Sequence, residues 1–369
     1  MTLLKRPRTA QVDARARPTA RVSQTRTTRS QSMISSRRAE EQVLYPVVIL
    51  YNMDSSWDAQ DIKESEVYLM TMADGLARHG HPVELAMVRR DVAEPLERFD
   101  PREHIVFNWC EGLDGVPRSF DRIPPVLEEL GFAYTGATAW TLAMTQDKVM
   151  TKAFLDRSNV STPDWCTFNS ADEVKDWSIF PAIVKLAIEH CSTGITDGAV
   201  VSDLDQLRER VDFLARQYGS QVLVEDFILG REFNVSIWGN GKPAPLPLYE
   251  IDFSGIPDPR RRVVDWDAKW VKGSFSYDHT PARCPAEVDD ELAGRLRTTA
   301  MAAYHALRLR DYGRIDIRVR DGQPYVVDVN SNPDITIDGG FAKTAQVAGY
   351  NYGAAVSRII SFAARRKPA

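Results

Sequence analysis

From Val43 onward the chain alternates short, wholly apolar runs with amphipathic stretches, and this restricts the fold to strands covered by helices. Val47-Val48-Ile49-Leu50 reads as a buried strand. A helix with Leu69, Met72, Ala73 and Leu76 at helical spacing follows, and Arg78-His79-Gly80-His81-Pro82 ends it with glycine as the stop. Val83-Glu84-Leu85 and Ile105-Val106-Phe107 repeat the alternation, the mark of a parallel sheet. An α/β domain over 43–138 is expected.

At 369 residues the chain has room for two or three domains of roughly 100–200 residues each. Beyond the first domain, 147–158 reads as a helix, and 181–185 as a strand entering the loop Glu189-His190-Cys191-Ser192-Thr193-Gly194. Strands 222–225 and 233–238 flank Gly230, and Leu292, Leu296, Ala303 and Leu307 mark another helix. Ile315 to Val319 and Tyr325 to Val329 enclose Asp321-Gly322, a strong hairpin signal. Segments 139–223 and 224–366 are the expected second and third units.

Residues 1–42 hold ten Lys or Arg against Asp13, Glu40 and Glu41, and they nearly lack large apolar side chains. Such a segment cannot bury enough surface to offset its ordering entropy, so a disordered basic tail is expected. A transit peptide and an upstream-extended start, with Met33 as the initiator, are the alternatives. The tail carries +7 and the net charge is -5, which leaves the body at -12. An acidic body speaks against nucleic acid as a partner. No apolar run approaches a membrane span, and four cysteines and six histidines show neither CxxC nor zinc-ligand spacing. Free thiols and a cytoplasmic location follow as expectations.

Several polar groups stand where they are costly without a partner. Asp316 on the first strand of the hairpin and Asp328 and Asn330 on its second are hard oxygen donors of the kind Mg²⁺ takes, and residues two apart share a strand face. Lys185 ends an apolar strand, where an ammonium group calls for an anion. Ser192-Thr193-Gly194 follows it, a small-residue loop able to turn backbone N–H groups onto a phosphate. Lys148 and Lys269 complete the lysine set, and Glu225 and Glu232 lie seven apart across Gly230. Taken singly, the hairpin could be a solvated polar face and each lysine a surface charge.

Taken in order, the segments Ala133-Tyr134-Thr135-Gly136, Asp147-Lys148-Val149-Met150-Thr151-Lys152, Phe180-Pro181-Ala182-Ile183-Val184-Lys185, Gly313-Arg314-Ile315-Asp316 and Asp328-Val329-Asn330-Ser331-Asn332-Pro333 resemble the ATP-grasp superfamily, and within it the D-alanine–D-alanine ligase family. The resemblance runs from about Val43 to Ala364. It implies an α/β ATP-grasp fold behind an N-terminal parallel-sheet domain. It also implies Lys148 and Lys185 on phosphates, Glu225 with the backbone from Asp226 to Ile228 on the adenine edge, Glu232 on the ribose and Lys269 on the γ-phosphate. Asp316, Asp328 and Asn330 would hold Mg²⁺, two ions in the family pattern with Mn²⁺ as an alternative. Arg314 would face the reacting carboxyl and Ser192 would belong to the catalytic set.

The implied reaction moves the γ-phosphoryl group of ATP to a carboxylate, after which an amine attacks the acyl phosphate. Positioning and charge stabilisation would carry it, with the loop after Lys185 and the segment around Lys269 excluding water. The amino-acid half departs from the pattern. Family positions holding a linked Glu, Ser and Tyr correspond here to Glu64, Cys191 and Trp270, and a thiol and an indole cannot copy that network. A serine that holds the second D-alanine corresponds to Gly339, with Asp334 and Asp338 beside it, and acids there favour a cationic acceptor. The expectation is an ATP-dependent carboxylate–amine ligase acting on amino acids or related small molecules, with a homodimer as an open oligomeric state. A cell-wall D-alanine–D-alanine ligase, an ATP-grasp kinase and a nucleotide-binding regulator without turnover are the alternatives.

Overall fold

The computed structural model describes residues 44–188 and 192–367, apart from the Trp270 side chain; the basic segment 1–42 and Cys191 lie outside the described residues. Three sheets follow one another along the chain. The first contains β1 (Val47–Asn52), β2 (Val83–Val88), β3 (Ile105–Trp109) and β4 (Ala133–Tyr134), parallel throughout in the order β2-β1-β3-β4. Helices α1 (Ala59–Arg78) and α2 (Ile123–Glu129) cross between its strands. Val47 and Ile49 face one cluster with Met72 and Leu76 of α1, while Val48 and Leu50 face the other with Leu96, Ile123 and Leu127. Burial on both faces is why β1 reads as an unbroken apolar run.

Helices α3 (Ala139–Gln146) and α4 (Lys148–Arg157) lead into the second sheet, built from β5 (Trp165–Phe168), β6 (Ala182–Leu186), β7 (Val200–Val201) and β8 (Val222–Asp226). It is antiparallel, in the order β5-β8-β6-β7. Leu207, Val211 and Leu214, three to four apart on α5 (Leu204–Tyr218), cover the face that carries Val184 and Val224. Lys185 and Glu225 alternate onto the opposite face.

The third sheet is also antiparallel and runs β12-β11-β9-β13-β14, with β10 on β9. Its strands are β9 (Arg231–Trp238), β10 (Ala244–Pro245), β11 (Tyr249–Ile251), β12 (Ala282–Arg283), β13 (Tyr312–Arg320) and β14 (Gln323–Asn330). Asp321 and Gly322 join β13 to β14 with φ of 54° and 72°, the two positive values a tight twisted hairpin requires. Phe233, Val235, Ile315, Ile317 and Val329 form its apolar face beneath Leu296, Ala300 and Ala303 of α8 (Asp290–Ala306). The other face is polar and carries the candidate site.

Two short helices, α6 (Trp266–Trp270) and α7 (Phe275–Asp278), precede α8, and α9 (Gly340–Val347) and α10 (Tyr352–Ala364) close the chain. Although α10 is last in sequence, its Val356, Ile359 and Ile360 pack with β1 and α1. The helices approach so closely that a Cβ on Gly353 would lie 2.3 Å from the Gly75 carbonyl oxygen. Arg366 then grips the fully buried Asp311 through two nitrogens at 2.6 and 2.7 Å and donates to the Tyr134 carbonyl. Among the described residues no helix is long and apolar enough to cross a membrane, and Cys110, Cys166 and Cys284 carry free thiols.

Candidate active site

Strand register assembles the polar face of the third sheet. Asp316 pairs directly with Asp328 and Arg314 with Asn330 across β13 and β14, while Asp316 meets Asn234 and Arg318 meets Glu232 across β13 and β9. Asp316 accepts from Arg314 Nε and Nη2 at 2.7 and 2.9 Å, from Asn234 Nδ2 at 2.8 Å and from Asn330 Nδ2 at 3.1 Å. Burial opposes the Arg314 charge, but Asp316 outweighs it and raises the guanidinium above its ordinary value. Asn330 donates through Nδ2, so its amide oxygen is left to offer. Asn234 is a member of this cluster that the sequence reading missed; its signal was the alternation Glu232, Asn234 and Ser236 along β9.

The second sheet, through Lys185, and α4, through Lys148 and Lys152, face this cluster with lysines. Glu225, 1% exposed, is gripped by Lys185 on one oxygen and by Lys152 on the other. Burial alone would raise the Glu225 carboxyl, yet the two ammonium groups hold it below its ordinary value. The anion that Lys185 calls for is therefore supplied within the protein. Lys152 also donates to Thr162 Oγ1 at 2.6 Å and to the Val326 carbonyl at 3.2 Å. Lys185 reaches the Val327 carbonyl at 3.5 Å. The register between β13 and β14 shifts just past Asp316, and Val326 and Val327 lie at that irregularity, so the hairpin's carbonyls meet the lysines of the other sheet. Lys148 lies 4.0 Å from Asp328.

Around Gly230, Asp226 is held bidentately by Arg320 at 3.0 and 2.7 Å. The Asp226 and Phe227 amides donate to Asp164 and Pro181, while the neighbouring Ile228 amide has no hydrogen-bond partner among the described residues. Burial pushes the Glu232 carboxyl up, against the opposing charges of Arg318, Lys269 and Lys185. Arg318, 4% exposed and stacked 4.5 Å over Phe227, sits 3.7 Å from Glu232; sequence reasoning did not single it out. Ser192 is in the left-handed region at φ 63° and donates to the Val264 carbonyl at 2.8 Å. Trp266 N–H donates to Ile195 O and Arg261 pairs with Asp197, so the loop after β6 is tied to the segment carrying the exposed Lys269.

The remaining candidates gather between α1 and the loop before α9. Tyr68, one turn along α1 from Glu64, donates to Asp338 Oδ2 at 3.0 Å. Its hydroxyl is pushed up to about 12 by burial, by that hydrogen bond and by the charges of Asp338, Glu64 and Asp334. Glu64 itself accepts from Gln60. Asp334 holds Thr336 through its amide and hydroxyl, and a Cβ at Gly339 would fall 2.8 Å from Asp334 Oδ2. Glycine at 339 thus makes room for the Asp334 carboxylate. Two sequence motifs dock on each other: Asn332 Oδ1 accepts from the Ala137 amide, and a Cβ on Gly136, at φ 88°, would lie 2.5 Å from it. Cys191 and the Trp270 side chain lie outside the described residues.

Residues 153–361 match the family model described as D-ala D-ala ligase C-terminus. The chain belongs to the D-alanine–D-alanine ligase family. It is 32% identical to an uncharacterized protein, y4sG, of Sinorhizobium fredii, over 78% of this chain and 84% of that one. It is 30% identical to the D-alanine–D-alanine ligase of Aquifex aeolicus, over 81% of this chain and 96% of that one. The crystal structure of the Bacillus anthracis D-alanine–D-alanine ligase complexed with ATP superposes with a TM-score of 0.65, at 24% identity, covering 88% of this chain and 98% of that one. The ATP-grasp fold is thereby established, and with the family comes the reaction class, ATP-dependent joining of a carboxylate to an amine. ATP and Mg²⁺ are the family's general requirements.

Proposed function

We propose that this ligase activates a small carboxylate as an acyl phosphate and passes it to an amine acceptor that carries a further positive charge. The observation that carries this reading is the presence of two unlike clusters of charged side chains. One is the cluster in which acids face cations, and the other a group of acids, Asp338, Glu64 and Asp334, whose charges act together on Tyr68. Two free D-alanine molecules, each with a carboxylate to be held, match the second cluster poorly. A diamine or a basic amino acid matches it well.

Lys148 and Lys185 would bind the phosphates. The Ile228 amide and the chain from Asp226 would take the adenine edge, Glu225 would stand behind it, and Glu232 would take the ribose hydroxyls. Asp316, Asp328 and the Asn330 oxygen suit Mg²⁺, because all are hard donors on one strand-paired face, and the two-carboxylate set is consistent with two ions or with Mn²⁺ in their place. When bound, the ion neutralises charge on the transferring phosphoryl oxygens. Arg314, fixed by Asp316, would present its unspent donors to the reacting carboxyl and then to the tetrahedral intermediate. Ser192 joins the loop to the 264 segment, and Lys269 would close over the γ-phosphate as that pair of segments excludes water. A domain limit near 138 falls between the first and second sheets, whereas a limit at 223 would cut β8, so the second limit is better drawn just past Asp226. The reaction takes place in the cleft between the second and third sheets.

The deciding experiment incubates the protein with ATP, Mg²⁺ and a matrix of amino acids and diamines, scoring phosphate release and product mass. Amide product with a dibasic acceptor, and use of D-alanine alone about a hundredfold less efficient or worse, is the expected result; two lost hydrogen bonds to charged groups at about 1.5–3 kcal/mol each would produce a ratio of at least that size. Efficient D-alanyl-D-alanine formation would overturn the acceptor assignment and restore the simpler family activity. Phosphate transfer to a hydroxyl, with no C–N product, would replace the ligase by a kinase.

A further inference from the structure

Two lysines grip one buried carboxylate, but they are not held equally. A lysine ammonium has three donors. Those of Lys152, which is 2% exposed, go to Glu225, Thr162 Oγ1 and the Val326 carbonyl. Lys185 has Glu225 and a long 3.5 Å contact to the Val327 carbonyl, and it stands at the strand end from which the phosphate loop departs. Lys152 is therefore the fixed partner and Lys185 the one able to turn. Resting on the ligase reading above, we propose that Lys152 is a positioning residue: it neutralises Glu225 so that Lys185 can be released to the phosphates of ATP without stranding a buried carboxylate.

The reasoning is one of charge count. Glu225 carries one negative charge and is 1% exposed, so leaving it unpaired is strongly unfavourable. If Lys185 were its only partner, each phosphate contact would compete with that pair. With Lys152 in place the trio carries a net positive charge, and the surplus is what a triphosphate can use. Burial pushes the Lys152 ammonium down to about 8 against the opposing pull of Glu225, and Lys185 and Asp328 also act on it. A guanidinium at 152 would keep its charge there.

The test uses the full-length protein and compares the dissociation constants of ATP with Mg²⁺ and of adenosine, which lacks phosphates, by calorimetry. Lys152→Met should weaken ATP at least tenfold while adenosine changes less than twofold, and Lys152→Arg should restore ATP to within about threefold. A Lys152→Met protein that binds ATP like the wild type, or that loses ATP and adenosine in equal proportion, overturns the proposal. Should Lys152→Met fail to fold, Glu225→Gln is compared with Lys152→Met/Glu225→Gln. Because Lys152 acts only through Glu225, the ratio of ATP to adenosine affinity should agree within twofold between them, and a tenfold difference overturns the proposal. Failure of the wild-type protein to bind ATP at all would refute the ligase reading itself, an outcome separate from these.

Discussion

The two ends of the site are built on opposite electrostatic plans. In the proposed nucleotide half each acid is answered by a cation: Glu225 by Lys152 of α4 and Lys185 of β6, Asp226 by Arg320, Asp316 by Arg314 two residues away on its own strand, and Glu232 by Arg318 on the adjacent strand. In the proposed acceptor half Glu64, Asp334 and Asp338 act together on Tyr68, and the Asp334 charge reaches both Glu111 and Arg314. The first arrangement is preorganised on two sheets and on α4, which carries Lys148 and Lys152. The second sits on α1 and a loop. Balanced charge on rigid strands suits a cofactor common to a family, and accumulated charge on a helix and a loop is where substrate preference can change without disturbing the fold.

The most damaging test of this contrast is in the balanced half. Asp316 accepts four hydrogen bonds and would ligate the ion, so Asp316→Asn should lower turnover at least tenfold while the circular dichroism spectrum stays that of the folded protein. Asn330→Ala should do the same. Full activity of either folded variant at saturating Mg²⁺ would remove the metal assignment.

A smaller and more selective effect is expected in the acidic half. Asp338→Ser removes one charge and the Tyr68 hydrogen bond, so the acceptor's kcat/KM should fall while the KM for ATP holds. Because Asp338 and Asp334 are exposed, screening limits the loss to roughly three- to tenfold, and less in high salt. Gly339→Ser should not by itself restore D-alanine use, because the new Cβ would meet Asp334. Equal losses for ATP and acceptor in Asp338→Ser would erase the distinction between the two halves.

The same contrast governs how much could be read from the residues alone. The Asp-Gly hairpin, the apolar strand reaching Lys185 and the β1–α1–β2 alternation are local signals, each built from a period or a turn that neighbouring residues carry. The structure shows all of them, with β13 and β14 joined at Asp321 and Gly322. The return of α10 to the first sheet had no such signal, since Gly353 and Gly75 are 278 positions apart and small residues carry no mark of the partner they admit. Asn234, Tyr68, Lys152 and Arg318 were missed for a related reason. Each gains its meaning from a partner on another element: Asp316, Asp338, Glu225 and Glu232 respectively. Resemblance located the residues that a family shares, whereas those that tie them together emerge only from register and packing.

The smallest effect expected concerns the scaffold of the acceptor half. His81, just past the end of α1, is buried with Nδ1 3.0 Å from the Tyr45 carbonyl and Nε2 2.7 Å from Ser357 Oγ on α10. The carbonyl can only accept, which assigns the proton to Nδ1 and makes neutral Nε2 the acceptor of the Ser357 hydroxyl. Burial, with a lesser contribution from His79, holds this histidine below its ordinary 6.5. The unfolded chain therefore binds the proton first as pH falls, and the stability that His81 contributes is complete above 6.5 and is lost progressively below it. Melting temperature should thus decline between about pH 7 and pH 5 by a few degrees, and His81→Gln, which cannot titrate, should show a shallower decline over the same window. ATP affinity at pH 6 should be the same in both proteins, because the cleft between the second and third sheets does not depend on this contact. An identical pH slope in His81→Gln would show that the α1–α10 junction is indifferent to protonation, and a change in ATP affinity would show that the two halves are coupled through it.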